Sequence, residues 1–415
     1  METVRFINYI IIVLFFVCYS YQILFIPIAL FMKKKEKVTE KIHCFAILIA
    51  AKNEETVIGN LIDSLKNQQY PKDMIEIFVV ADNCTDNTAE VTLAHGAKVF
   101  ERFDRVCRGK GYALNYLLKM IKQYSDKKFD AYIVFDADNV VDSHFVREMN
   151  KSLSDGYEIA TCYRNSKNYG DNWISAGYAL WFLRESQYLN FARYNIGSSC
   201  SVSGTGFMFS DKILKRCGGW NFFCLTEDIE FTICNIVNGE KIGYCKNAVL
   251  YDEQPTKFSQ SWKQRKRWVK GYLQVLSKYG KQLVCGIIKR SFSCFDMAMN
   301  IVPAATLTMI SIIINLIIIV FNIFNAAGMH AILFSLLQSV CNLYITLFLF
   351  GLITVITEWN KIYCPTIKKV LYTFTFPLFM FTYIPICISA LFTKVDWEPI
   401  KHTKNIKISN FCRRQ

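Results

Sequence analysis

The residues best suited to chemistry are acids in short, spaced clusters. Asp136-Ala137-Asp138 follows an apolar run, and two carboxylates one residue apart on an extended segment project from one face. They can share a hard divalent cation such as Mg²⁺ or Mn²⁺, which would neutralise a diphosphate and stabilise it as a leaving group. In Thr226-Glu227-Asp228, one carboxylate can raise the pKa of the other, the property a general base needs near neutral pH. Glu54 in Ala51-Lys52-Asn53-Glu54-Glu55 and Asp82 in Ala81-Asp82-Asn83-Cys84 can accept hydrogen bonds from a nucleoside ring and its ribose. Each acid, taken alone, serves equally well as a helix cap or first-turn residue. The last cluster is Gln264-Arg265-Lys266-Arg267-Trp268, with Trp262 and Tyr272 nearby. Arg267 can clamp a phosphate and Trp268 can offer a flat face to a sugar ring, while the segment as a whole reads as a basic interfacial helix.

Positioning these side chains requires alternating strands and helices. Residues 44–50, 75–80, 98–101 and 131–135 read as strands, and 54–69, 85–94, 111–124 and 229–238 have helical patterning. Such alternation predicts an α/β layer with a mostly parallel sheet, whose ligands gather at the carboxyl ends of strands, just after Ala51, Val80 and Phe135. No G-x-G-x-x-G follows the first strand, which excludes a dinucleotide fingerprint. The glycines of Ser203-Gly204-Thr205-Gly206 and Gly218-Gly219 permit close backbone approach to a ligand.

The remaining length is membrane-like. Of 415 residues, 52% are hydrophobic, and uncharged runs at 6–32, 297–329, 331–357 and 370–393 are long enough to cross a bilayer. The first is too long for a signal-peptide core and ends in Lys33-Lys34-Lys35-Glu36-Lys37, so it reads as an anchor. The formal net charge of +14 is concentrated in two places. Ten basic and no acidic residues lie between Gln254 and Phe295, and six basic residues against Asp396 and Glu398 lie from Lys394 onward. Basic residues at the edges of hydrophobic runs mark the cytosolic membrane face and argue against a nucleic-acid partner. Residues 33–296 are therefore expected in the cytosol. A fourth full crossing would put the basic tail outside, so Pro377 and Pro385 are expected to break the last run into a re-entrant or kinked element that returns the tail to the cytosol. Sixteen cysteines without a C-x-x-C pair fit a reduced compartment, free thiols and no structural zinc. The expected units are an anchor (1–32), a catalytic domain (42–255), a basic interfacial segment (256–296), membrane segments (297–393) and a basic tail (394–415).

The set Glu54, Asp82, Asp136-x-Asp138, Thr226-Glu227-Asp228 and Gln264-x-x-Arg267-Trp268 resembles, in order and rough spacing, the membrane-integrated family 2 glycosyltransferases. These include cellulose, hyaluronan, chitin and poly-N-acetylglucosamine synthases, and the resemblance covers about residues 44–275. It implies an α/β, GT-A-type nucleotide-sugar-binding domain inserted between transmembrane helices of a multi-pass plasma-membrane protein. By the same resemblance Glu54 and Asp82 would hold the uridine of a UDP-sugar, with Lys110 in Arg108-Gly109-Lys110-Gly111 near the donor. Asp138, with Asp136 beside it, would coordinate Mg²⁺ or Mn²⁺, and Arg267 would contact the diphosphate. Asp228, beside Glu227, would deprotonate the acceptor for inverting transfer, and Trp268, Gln264 and Thr226 would line the acceptor site. The implied activity is extension of an extracellular polysaccharide, with an accessory export subunit as a further partner. The alternatives are transfer of one sugar to a lipid or lipid-linked acceptor and a non-catalytic membrane scaffold. Asp82-Asn83-Cys84 departs from the acid-Gly-Ser of many such synthases, and a single span precedes the catalytic region where hyaluronan and cellulose synthases have at least two.

Overall fold

The computed structural model describes residues 2–32, 41–301, 310, 313, 314, 317, 320, 326–400 and 402–409. Most of the run expected as a span at 297–329 lies outside the described residues, as do the basic run 33–37 and the final Arg413 and Arg414. The strands are β1 (Phe45–Ala51), β2 (Ile75–Asp82), β3 (Lys98–Arg102), β4 (Ala131–Asp136), β5 (Val140–Val141), β6 (Ile159–Ser166), β7 (Phe207–Ser210) and β8 (Ile242–Asp252). The helices that precede or follow them are α1 (Glu2–Phe31), α2 (Ile58–Lys66), α3 (Thr88–Ala94), α4 (Lys110–Tyr124), α5 (Phe145–Ser154), α6 (Trp173–Arg184), α7 (Phe191–Asn195), α8 (Asp211–Arg216) and α9 (Glu227–Val237). Beyond the sheet come α10 (Phe258–Ile288), α11 (Phe292–Ile301), α12 (Ala326–Thr357), α13 (Thr366–Phe381) and α14 (Tyr383–Phe392).

All eight strands form one sheet in the order β3-β2-β1-β4-β7-β6-β8-β5. The parallel expectation holds for β3-β2-β1-β4, but beyond β4 the sheet is mixed: β7 pairs antiparallel with both β4 and β6, and β5 antiparallel with β8. Strand periodicity explains why β1 reads as an unbroken apolar run. Phe45, Ile47 and Ile49 face one buried layer, under α2 and α5, and Ala46 and Leu48 face the other, under α4, α6 and α9.

Register brings the acids together. Ala51 of β1 lies opposite Ala81 of β2, and Ala50 opposite Asp136 of β4, so three carboxyl ends finish side by side. The helix expected over 54–69 begins only at Ile58, because residues 54–57 form a turn in which Val57 and Ile58 N–H both donate to the Glu54 carbonyl. The helix expected over 229–238 starts earlier, at Glu227, with Thr226 as its N-cap. Glu227 and Asp228 thus lie in a first turn, where the positive end of the helix dipole favours carboxylates.

Three described helical segments are long and apolar enough to cross a membrane: Val13–Phe31, Val340–Thr357 and Thr366–Phe392. The first is tied to the domain by Tyr21, whose hydroxyl donates to Asp296 Oδ1 (2.8 Å), while Arg193 pairs with the same fully buried carboxylate at 2.6 Å. The last is interrupted for one residue, though not at Pro377, which sits inside α13. The break falls at Thr382, because Pro385, in the first turn of α14, lacks an N–H and crowds the carbonyl of Phe381. Arg265 seals it, donating to the Phe379 carbonyl (3.2 Å) and Thr382 Oγ1 (2.6 Å) with its guanidinium 4.4 Å from the Phe379 ring. Both ends of this broken helix touch the sheet domain. Lys368 Nζ donates to the Gly170 carbonyl (2.6 Å), and beyond α14 the tail lies along the strand ends.

Candidate active site

A cavity of about 1090 Å³ opens at the strand ends and continues between the membrane helices, and all eleven side chains singled out by sequence line it. Their contributing elements differ. Glu54, Asp82, Asp136 and Asp138 come from the ends of β1, β2 and β4, Lys110 opens α4, Thr226, Glu227 and Asp228 open α9, and Gln264, Arg267 and Trp268 come from α10. Helical spacing divides the basic cluster: 264, 267 and 268 share the cavity face, whereas Arg265 is buried away from it against α13 and the Thr382 break.

Lys110 links the two acidic groups. Its ammonium pairs with Asp136 and donates to the Gly204 carbonyl at 2.8 Å. Burial pushes the Asp136 carboxyl up, but Lys110 outweighs it and holds the group below its usual range. Gly204, at φ +77°, lies where an added Cβ would come 3.5 Å from Asp228 Oδ2, so the glycine loop is close to the second acidic group. Gly271 of α10 is packed more closely still: a Cβ there would meet Thr226 Oγ1 at 2.4 Å, which is how the start of α9 seats against the basic helix. Burial, then the neighbouring Asp228, pushes Glu227 up to about 7, and burial pushes Asp228 up as well.

Asp82 is buried and held by Arg102 (2.6 Å) from the paired strand β3. Asp138 Oδ2 accepts the Glu253 backbone N–H (2.7 Å), and its carbonyl accepts from Lys167. Trp268 is half-buried, packed edge-on against Tyr178 (5.7 Å between centroids) and Phe182 (6.2 Å). It therefore faces protein rather than standing at the periphery as a headgroup anchor.

Sequence reasoning missed several residues of this cavity. Asp252, Glu253 and Gln254 end β8 as the other acids end their strands, so the same rule applied to residues 242–252 would have found them. Arg164 pairs with Asp252 (Nε–Oδ2 2.6 Å), donates to the Ser203 carbonyl (2.8 Å) and stacks 3.5 Å above Phe182. Glu185 begins a π-helical turn (Glu185–Asn190) between α6 and α7 and accepts from Ser203 Oγ at 2.7 Å. Such turns often mark functional sites but carry no local sequence signature. The tail contributes His402, whose Nδ1 is 2.8 Å from Glu54. Burial would lower His402, but Asp138, Glu54 and Glu253 together push it up to about 10, so it is a cation beside Glu54. Thr403 and Lys404 N–H donate to Glu253, and Trp397 lies under Lys52.

Parallel strands ending in acids, a mixed outer sheet, and a cavity shared with membrane helices define a GT-A-type glycosyltransferase domain set among apolar helices. A solved mannosyltransferase, PcManGT from Pyrobaculum calidifontis in complex with GDP-Man and Mn²⁺, has the same fold: TM-score 0.59 at 14% identity, covering 92% of this chain and 98% of that one. The chain belongs to the family described as Glycosyltransferase like family 2, whose model matches residues 43–271. It is 29% identical over 244 residues to the β-monoglucosyldiacylglycerol synthase of Nostoc sp. (strain PCC 7120 / SAG 25.82 / UTEX 2576), covering 55% of this chain and 49% of that protein. It is 27% identical over 248 residues to the poly-β-1,6-N-acetyl-D-glucosamine synthase of Staphylococcus epidermidis, covering 57% and 56%. The chain thus spans about half the length of these curated relatives.

Proposed function

We propose that this glycosyltransferase is a membrane-embedded inverting enzyme that moves a hexosyl or N-acetylhexosaminyl group from a UDP-sugar to an acceptor hydroxyl, with its catalytic domain in the cytosol. The observation that carries the reading is the convergence of two acidic groups on one cavity. Asp136 and Asp138 lie at the strand ends, and Asp228 lies on α9 beside the basic helix and its tryptophan.

Glu54 and Asp82 bind the nucleoside, Lys110 and Arg267 the diphosphate, and Thr226, Gln264 and Trp268 the acceptor. Among the described residues no three His, Cys, Asp or Glu side chains gather into a complete metal cage. Two carboxylates nevertheless fit Mg²⁺ or Mn²⁺, which take the rest of their oxygens from phosphate and water. Asp138 and Asp136 would hold the ion, which supplies charge neutralisation on the departing diphosphate. Asp228 takes the acceptor proton as the hydroxyl attacks the anomeric carbon, and direct displacement turns an α-linked donor into a β-linked product. The test is to incubate the purified full-length protein with a panel of UDP-sugars and Mn²⁺, then read UDP release and the product anomer by NMR. An α-linked product from an α-linked donor overturns the inverting mechanism.

The pH dependence follows from Glu227 and Asp228. Burial raises Asp228 and Glu227 alike, so the base is protonated, and lost, at a higher pH than an ordinary carboxylate. The acid limb of kcat/KM is expected above the ordinary carboxylate range near 4. A limb at about 4 excludes this pair as the base.

Trp268→Ala is expected to lower sugar transfer by about 10-fold while donor hydrolysis persists, since a lost aromatic face costs roughly 0.5–1.5 kcal/mol beyond its area. Equal loss of both rates, measured on one detergent preparation, would assign Trp268 to folding instead.

A further inference from the structure

The acceptor half of the cavity has its own chemistry. Away from the carboxylates its walls include Phe16 and Ile23 of α1, Leu343 and Leu347 of α12, and Ile384 of α14. Phe16 and Ile23 remain 65% and 51% exposed, so among the described residues this apolar wall is open at the side of the candidate membrane helix α1. These walls also carry Ser20, Asn342 and Thr346 but are mostly apolar, so a sugar polymer with several hydroxyls per residue finds few partners on them. Acyl chains require none.

Among the described residues, both Arg184 and Arg193 of this cavity lie near these apolar groups, and Arg184 is the one without a carboxylate partner. Arg184, at the end of α6, lines the same cavity where α6 meets α1 and α12. Its Nη2 donates to Gln22 Oε1 of α1 (3.0 Å), and its guanidinium lies 5.1 Å from the Phe350 ring of α12 and 5.6 Å from Trp181. Among the described residues it forms no ion pair. The adjacent Glu185 instead accepts from Ser203 Oγ, and Arg193 is engaged by Asp296. Burial, then the nearby Arg193, lowers Arg184 to about 10, which leaves it charged at neutral pH. A guanidinium in a mostly apolar cavity is costly without an anion, and its planar donors match phosphate oxygens.

We infer that the acceptor is a membrane lipid with a phosphate and a free hydroxyl in its head, bound with its acyl chains between α1 and α12 and its phosphate on Arg184. This rests on the transferase reading above and specifies its acceptor. The hydroxyl oxygen forms the bond to the anomeric carbon, the bond from that carbon to the diphosphate breaks, UDP leaves with the electron pair, and Asp228 takes the proton.

The full-length protein is reconstituted in phosphatidylcholine vesicles, alone or with phosphatidylglycerol or diacylglycerol, and given labelled UDP-sugars with Mn²⁺. Label is expected in the chloroform phase with phosphatidylglycerol. Arg184→Gln should raise the apparent KM for phosphatidylglycerol by roughly 10-fold or more, without changing UDP affinity, and Arg184→Lys should restore part of it. Label confined to water-soluble chains of increasing length, made equally well in phosphatidylcholine alone, overturns the lipid acceptor in favour of a polysaccharide. Equal use of diacylglycerol and phosphatidylglycerol by the wild type, or an unchanged KM in Arg184→Gln, overturns the phosphate contact. No Asp228-dependent UDP release from any donor overturns the transferase reading itself, and the acceptor proposal with it.

Discussion

Asp228→Asn is expected to reduce sugar transfer by about 10²–10⁴-fold, the usual scale for loss of a general base, while UDP binding stays close to wild type. The amide keeps the size and planarity of the carboxylate, so the first turn of α9 and its seat against Gly271 are preserved. What disappears is the proton acceptor and one charge that, after burial, helps to hold Glu227 up at about 7. The variant should therefore bind UDP and Mn²⁺ normally by calorimetry and fail only in UDP release driven by acceptor. If more than about a tenth of the wild-type rate survives, proton abstraction belongs to another acid of the cavity, Glu227 or Glu185, and glutamine variants of each would locate it.

The second large effect is expected on the donor side. Asp138→Ala removes one of two carboxylates available for a divalent ion, and the Mn²⁺-dependent gain in UDP affinity should fall by at least about 10- to 100-fold, the scale seen even for partners that only orient a metal ligand. Affinity measured without metal should change little, because Asp138 is not expected to touch the nucleotide directly. Its carboxylate also accepts the Glu253 N–H, so a thermal melt is needed alongside the titration. A variant with wild-type melting and undiminished Mn²⁺ enhancement of UDP binding would remove Asp138 from the metal site.

The parallel half of the sheet and its acids were legible because fully buried strands read as unbroken apolar runs that stop at polar residues. Residues 45–51 and 131–136 have this form, 75–82 has it from Ile77 onward, past Glu76, and each stop is a carboxyl end facing the cavity. The other half was hidden because β6 and β8 carry Arg164 and Lys246 among their apolar residues and β5 has only two residues. The convergence of α9 with α10 was readable only as a family pattern, since the glycine packing that joins them spans 45 residues of sequence from Thr226 to Gly271. His402 was illegible for the same reason carried further. Nothing near it in sequence says that it reaches Glu54, 348 positions away.

The tail's seat on the strand ends imposes a parity rule on the membrane passages. The chain leaves the catalytic domain after α10 and returns to it at residues 397–405, touching Lys52, Glu54, Glu253 and Asn60. A polypeptide that departs from and comes back to one side of a bilayer must cross it an even number of times in between. The 366–392 segment is tied to the domain at its beginning by Lys368 and followed by the tail at its end. With the described tail residues seated on the strand ends, an epitope tag at the C-terminus and one in the α4–β4 loop are expected to become accessible to antibody under the same permeabilisation.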